Sequence, residues 1–126
     1  MKVLVAEDDP TIRQLIVMFL SRRGIACTAV DNGRRAVEEW EGSDYDIILM
    51  DLQMPVMDGL NATHLIREKE TGRGGHTMII ALTAYAMAAD RQKCLEAGMD
   101  DYLSKPIDFD RLLFLVHHPS PNSPPT

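Results

Sequence analysis

The sequence has few of the features that mark several large protein classes. Cysteine occurs only twice, at Cys27 and Cys94, too few and too far apart for a disulfide framework or a zinc site. We expect both to be buried, reduced thiols. No apolar run approaches the roughly 18–20 residues of a membrane helix, and the first residues do not form a signal peptide. These absences favour a cytoplasmic location and predict no membrane contact by this domain.

Clustered positive charge is also missing. The chain has 13 basic and 19 acidic residues, a net charge of -6, and the basic ones are scattered. Because nucleic-acid backbones reward clustered Lys and Arg, we predict no direct nucleic-acid binding by this domain. The length of 126 residues fits one globular domain.

Short apolar runs alternate with longer helix-like segments. Three of the runs are continuously apolar, as expected for parallel strands covered on both faces. The predicted strands are residues 2–6, 26–30, 47–50, 78–82 and, more weakly, 102–103.

The segments between these strands have helical patterns. In the first, apolar residues recur at three- and four-residue steps after Asp9-Pro10, a good N-cap and first helical residue. Repeated strand–helix units with short links imply right-handed crossovers and a doubly wound parallel sheet. The predicted helices begin at residues 10, 33, 59, 88 and 109 and end near 23, 41, 70, 97 and 116, with 71–75 as a loop.

The end of the sequence differs in composition from the rest. Residues 119–126 hold four of the seven prolines. This composition is typical of a linker or disordered tail, so we predict one domain over residues 1–118 followed by such a tail.

Polar residues stand at the carboxyl ends of four predicted strands. In an open parallel sheet these ends share one edge, where ligands bind at the point of reversed winding. The residues are Glu7, Asp8 and Asp9 after the first strand, Asp51 after the third, Thr83 after the fourth and Lys105 after the fifth.

The carboxylates at this edge predict a metal site. Glu7, Asp8 and Asp51 face one evident cation, Lys105, and like charges at close range repel unless a counter-charge intervenes. Oxygen ligands suit Mg²⁺, or Mn²⁺, better than zinc. Helix capping is the simpler reading for Asp9, which stands directly before a proline. Asp51 has apolar neighbours on both sides, so its carboxylate needs partners or a function.

Four segments together resemble the receiver domains of two-component response regulators. The resemblance covers residues 2 to about 116 and is closest to receivers attached to hybrid sensor kinases. It implies a flavodoxin-like, three-layer α/β fold of five strand–helix units with strand order 2-1-3-4-5. The segments are VLVAEDD (3–9), ILMDLQMP with MDG (48–55 and 57–59), ALTA (81–84) and GMDDYLSKP (98–106).

The resemblance implies a role for each matching residue. Asp51 would accept a phosphoryl group, while Glu7, Asp8, Asp51 and the backbone carbonyl of Gln53 would hold Mg²⁺. Lys105, before a candidate cis proline, would pair with the phosphoryl group. The remaining roles fall to the Thr83 hydroxyl and the Ala84 backbone N–H, which would bind phosphoryl oxygens, and to Tyr102, which would move inward as Thr83 shifts.

The family also implies partners. The donor would be a phosphohistidine on a histidine kinase or histidine phosphotransfer domain, docking near the first helix. Phosphorylation and dephosphorylation would be catalysed by the receiver itself, without other enzymatic activity, and would switch the face around helix 4, strand 5 and helix 5. The parent could be a hybrid kinase or a response regulator, with a kinase or output domain in cis. The short fifth helix leaves the oligomeric state open.

Three other functions fit parts of the pattern. A hydrolase that forms an aspartyl-phosphate would need a second aspartate at the position of Gln53. A flavin-binding module would want a Ser/Thr/Gly-rich phosphate loop after the first strand. A degenerate receiver would bind a protein without being phosphorylated.

Several single residues have weaker signals. Glu7 replaces the aspartate common at its position, so its carboxylate could reach the metal through water. Tyr85 could shield the acyl phosphate from water, or be a solvent-exposed loop residue. Asp100 and Asp101 are interpreted as solvated loop acids.

Overall fold

The computed structural model describes residues 1–84 and 88–118. Within them strands and helices strictly alternate, and no helix there is long and apolar enough to cross a membrane. The elements are β1 (Lys2–Ala6), α1 (Pro10–Ser21), β2 (Ala26–Val30), α2 (Gly33–Gly42), β3 (Ile47–Asp51), α3 (Gly59–Arg73), β4 (Met78–Thr83), α4 (Ala88–Ala97), β5 (Asp101–Ser104) and α5 (Phe109–His117).

The strands form one parallel sheet of order β2-β1-β3-β4-β5. Alternate residues of each strand serve opposite faces: Leu4 packs with Trp40 and Ile66 of α2 and α3, whereas Val3 packs with Ile16 of α1 in a second cluster that includes α5. Every residue of β3 and β4 is buried. The predicted flavodoxin-like three-layer fold is therefore confirmed.

Side-chain caps define where the helices begin. The Asp9 carboxylate accepts the backbone N–H groups of Thr11 and Ile12, at 2.8 and 3.2 Å, which confirms Asp9 as a cap. Asp58 accepts the N–H of Asn61 at 2.8 Å and caps α3 in the same way. These carboxylates satisfy amides that have no partner inside the helix.

Helix α3 is longer than predicted, and the expected loop over residues 71–75 is wrong for its first three residues. Gly72 gives this turn low helix propensity, but Arg73 holds it by tertiary contacts. Its guanidinium donates to the Trp40 carbonyl at 3.0 Å and lies 4.3 Å from the centroid of the indole ring. Trp40 is 2% exposed, and its indole N–H donates to Thr77 Oγ1 at 2.8 Å.

The thiols are both free, but they differ in burial. Cys94 is buried as expected, whereas Cys27 on β2 is half-buried. Burial raises the pKa of Cys27 to about 11. Burial also raises the pKa of the Cys94 thiol, so both thiols are protonated near neutral pH.

A buried polar network ties α3 to the starting ends of β4 and β5. The Arg67 guanidinium donates to Glu70 Oε1 at 2.7 Å and to Asp100 Oδ2 at 2.8 Å. It also donates to the Gly98 carbonyl at 2.9 Å. Asp100 is 8% exposed, and its Oδ2 also accepts the Ile79 N–H at 2.9 Å. The interpretation of Asp100 as a solvated acid is therefore wrong; Asp101 is partly exposed.

Replacing Arg67 by methionine is expected to lower the free energy of unfolding by roughly 3 kcal/mol, because Glu70 and Asp100 lose their buried cation. Chemical denaturation, monitored by circular dichroism, measures the free energy of unfolding. Arg35→Met is the matched control: Arg35 pairs with Asp31 at 3.5 Å, and both side chains are more than half exposed. Its change should stay within about 0.5 kcal/mol. Equal, small losses in the two variants would contradict a structural role for the network.

Candidate functional site

A cleft of about 910 Å³ lies at the carboxyl ends of the strands, where the sequence predicts a site. The register places Asp51 beside Leu82 and Thr83 beside Ser104, so consecutive strands end together. Parallel pairing thus delivers side chains from distant segments to one edge. The residues that line the cleft include Glu7, Asp8, Asp51, Gln53, Thr83, Ala84 and Lys105.

Lys105 joins the two buried carboxylates of the cleft. Its Nζ lies 2.7 Å from Glu7 Oε1 and 3.2 Å from Asp51 Oδ2. Glu7 is fully buried and Asp51 is 5% exposed. The peptide bond between Lys105 and Pro106 is cis, as the sequence suggests. The Glu7 side chain, which is one methylene longer than an aspartate, reaches the Lys105 ammonium. Its carboxylate also accepts the Asp9 N–H at 3.1 Å.

The pKa values of Asp51 and Glu7 are shifted in opposite directions. Burial, followed by the neighbouring Glu7, raises the pKa of Asp51 to about 7, although Lys105 opposes the shift. Burial also acts to raise the pKa of Glu7, but hydrogen bonds with Asp51 and Lys105 outweigh it and hold that pKa below its ordinary value. Glu7 is therefore the anion, and Asp51 keeps a proton until near-neutral pH when no further cation is bound.

The acidic residues fit a divalent ion. One oxygen each of Glu7, Asp8 and Asp51 lies within 4.8 Å of the others. All the donors are hard oxygens, which suit Mg²⁺ or Mn²⁺. Burial and the neighbouring Glu7 raise the pKa of Asp51 although Lys105 lies 3.2 Å away, so this one ammonium does not supply enough positive charge for both buried carboxylates. A divalent ion would supply that charge.

Thr83 and Gln53 flank Asp51. Thr83 ends β4 and is 3% exposed, and its backbone carbonyl accepts the Lys105 N–H at 2.7 Å. The Gln53 backbone N–H donates to Asp51 Oδ1 at 3.2 Å. Ala84 follows Thr83 and is exposed at the cleft. The structure therefore brings these predicted residues together in the cleft.

Tyr102 is not among the residues that line this cleft. It lies on β5 in a separate, smaller pocket of about 270 Å³. The Arg91 guanidinium lies 4.6 Å from the centroid of its ring. Tyr85 falls outside the described residues.

A family model for the response regulator receiver domain matches residues 3–117. The chain belongs to this family. Hybrid signal transduction histidine kinase I of Dictyostelium discoideum is 48% identical over 120 residues, a match that covers 91% of this chain but 7% of that protein. The chain thus spans a small part of the relatives to which it is similar, 7% of this kinase and 12% of Histidine kinase 1 of Arabidopsis thaliana.

Solved receiver structures have the same fold. The receiver domain of sensor histidine kinase PA1611 from Pseudomonas aeruginosa, with a magnesium ion coordinated in its active-site cleft, is 43% identical with a TM-score of 0.83. That match covers 92% of this chain and 93% of the other. A chain of the Saccharomyces cerevisiae complex between Ypd1, a histidine phosphotransfer protein, and the Ssk1 receiver domain is 33% identical, with a TM-score of 0.85 and coverage of 90% and 83%.

Two charged residues that line the receiver domain's cleft, and one that contacts the backbone beside it, were not predicted. Arg13 on α1 donates to the Glu7 carbonyl at 2.9 Å and so holds the end of β1. Asp90 and Lys93 of α4 line the same cleft. Their three-residue spacing places them on one helix face, but no sequence signal shows which face turns toward the cleft.

Proposed function

We propose that this receiver domain accepts a phosphoryl group on Asp51 in a reaction that requires Mg²⁺, with Mn²⁺ as a substitute. The observation that carries the proposal is one cleft in which Asp51 contacts Lys105 at 3.2 Å and lies within 4.8 Å of Glu7 and Asp8. A nucleophilic carboxylate, a cation and a metal-binding set are thereby together. The family membership of the chain supports the same reaction.

The chemistry is a transfer between two residues. A carboxylate oxygen of Asp51 attacks the phosphorus of a phosphohistidine, the P–N bond breaks, and the imidazole leaves with its electron pair and takes a proton. Such transfer depends on positioning and charge neutralisation more than on covalent catalysis. Bound Mg²⁺ would neutralise charge on the phosphoryl oxygens, and Glu7, Asp8, Asp51 and the Gln53 carbonyl would hold it. Lys105 pairs with the transferred group.

The product switches the domain through neighbouring side chains. The Thr83 hydroxyl and the Ala84 N–H donate to phosphoryl oxygens, and Tyr102 follows Thr83 inward. The phosphoryl group adds roughly -1.5 to -2 charge and new acceptor oxygens, if it resembles other phospho-residues. Thr83 pairs with Ser104 of β5, and Arg91 of α4 lies 4.6 Å from the centroid of the Tyr102 ring. The face around α4, β5 and α5 would therefore report the phosphorylated state to a kinase or output domain in the same chain.

The phosphodonor is a histidine kinase or a histidine phosphotransfer domain. The Ypd1–Ssk1 complex supports a histidine phosphotransfer protein as partner for a receiver of this fold. We place this exchange in the cytoplasm, with residues 1–118 as the receiver and residues 119–126, outside the described residues, as a linker or tail.

Incubation with acetyl phosphate or phosphoramidate and Mg²⁺ is expected to add one phosphoryl mass, measured by intact mass spectrometry. Chelation of the metal should suppress the gain, because Lys105 alone then remains to offset the charge of the carboxylates and the incoming phosphoryl group. Unchanged mass with both donors would reject the proposal and favour the degenerate receiver that binds a protein without phosphorylation.

A further inference from the structure

The loop between β3 and α3, residues 52–58 and here named the acceptor loop, contains a strained turn. Val56 has φ +69°, a conformation that β-branched residues rarely adopt. The Met57 N–H donates to the Pro55 carbonyl at 2.7 Å across it. This combination matches the rare, strained form of the γ-turn. Val56 is 74% exposed, so side-chain packing does not hold the turn in place.

Backbone contact with the start of α2 holds the turn instead. The Gly33 N–H donates to the Met57 carbonyl at 2.9 Å. A Cβ atom on Gly33 would lie 2.3 Å from that carbonyl oxygen and 2.9 Å from the Asp58 carbonyl oxygen. Neither oxygen belongs to a flexible side chain, so a larger residue at position 33 must displace the loop.

The opposite side of the same segment rests on Asp51. A Cβ atom on Gly59 would lie 2.1 Å from the Asp51 carbonyl oxygen, and the Gly59 N–H donates to the Leu52 carbonyl at 3.1 Å. The stretch from Met57 to Gly59 is therefore confined between α2 and the backbone of Asp51. We expect a displacement at Met57 to be transmitted through Asp58 and Gly59 to the backbone of Asp51.

We infer that Gly33 is a positioning residue for the phosphoryl-acceptor site, acting through the acceptor loop. Because Gly33 has no side chain, the Met57 carbonyl can lie against the first turn of α2. This contact keeps the Asp51 carboxylate and the Gln53 carbonyl in position. The inference rests on the proposed function, because these are the groups assigned to the metal. A shift of about 1 Å in such groups is enough to weaken binding and catalysis severely.

The test compares Mg²⁺ binding to Gly33→Ala and Gly42→Ala by titration calorimetry. Gly42 ends the same helix and has no atom within 4 Å of its added Cβ, so it is a matched control. We expect Mg²⁺ affinity to fall about tenfold in Gly33→Ala and to stay unchanged in Gly42→Ala. Adding Val56→Gly, which removes the strain at φ +69° and lets the loop adjust, should restore part of the affinity lost in Gly33→Ala.

The outcomes separate this inference from the proposed function. No Mg²⁺ binding by the parent protein would reject the metal-dependent function itself. Parent-like affinity in a folded Gly33→Ala variant would overturn the positioning role alone. Should that variant not fold, amide NMR of the parent decides: a Gly33 resonance that moves on Mg²⁺ titration while that of Gly42 does not supports the inference, and an unmoved Gly33 resonance rejects it.

Discussion

Asp51→Asn is expected to abolish the gain of phosphoryl mass from acetyl phosphate and Mg²⁺. An amide is not a nucleophile for phosphoryl transfer, while its size preserves the contacts of the site. The measurement is intact mass against time. Asp44→Asn makes the same chemical change at a fully exposed carboxylate and should be phosphorylated like the parent. Full phosphorylation of Asp51→Asn would place the acceptor elsewhere.

The same substitution should stabilise the metal-free protein near pH 7. The pKa of Asp51 is raised from its ordinary value of 3.8 to about 7, so between these values the folded state keeps a proton that the unfolded state has released. Stability from this group is therefore present at low pH and lost as pH rises toward about 7. Relative to the parent, Asp51→Asn should become more stable over that interval, by roughly 2–4 kcal/mol at its upper end.

Denaturation of both proteins at several pH values, in a chelating buffer, measures how Asp51 ionisation changes the free energy of unfolding. The difference between parent and variant cancels the titration of groups that do not contact Asp51. A difference that does not change between about pH 4 and 7 would show that the Asp51 carboxyl is not perturbed by Glu7 and burial.

Lys105→Met is expected to slow phosphorylation by roughly 10²–10³-fold, the typical loss when one group aimed at transition-state charge is removed. The variant keeps an unbranched side chain but no ammonium beside Glu7 and Asp51, which lie 2.7 and 3.2 Å from it in the parent. The initial rate of mass gain at saturating Mg²⁺ measures the effect.

The control for this prediction is Lys69→Met. Lys69 pairs with Glu41 at 3.6 Å, and both side chains are more than 40% exposed, so its loss makes the same change in net charge away from the cleft. A reduced rate in both variants would indicate a general effect of charge. A reduced rate in Lys105→Met alone supports direct contact with the phosphoryl group.

The architecture could be predicted because its signals are local. Continuously apolar runs predicted the buried strands, and the carboxyl ends of those strands predicted the cleft. Tertiary contacts decided the rest: Arg73 extends α3 past Gly72 by packing on Trp40. The helix propensities of single residues do not include the effect of such a contact.

The composition of the site could be predicted, because topology placed Asp51 and Lys105 together. Pairings away from the site could not: at the starting ends of β4 and β5, the ion pair between Arg67 and Asp100 joins residues 33 positions apart without any local pattern. The fit of Gly33 against Met57 is equally invisible in sequence, since a glycine after an N-cap is unremarkable there. Such contacts between backbone atoms can be recognised only from a structure.

Trp40 gives the molecule an internal optical reporter. It is the chain's one tryptophan, and its indole N–H binds Thr77, just before β4 begins, whereas the cleft lies where β4 ends. Strands rise about 3.3 Å per residue, so the six residues of β4 separate the two places by roughly 20 Å. Intrinsic fluorescence should therefore follow unfolding without responding to ligands in the cleft.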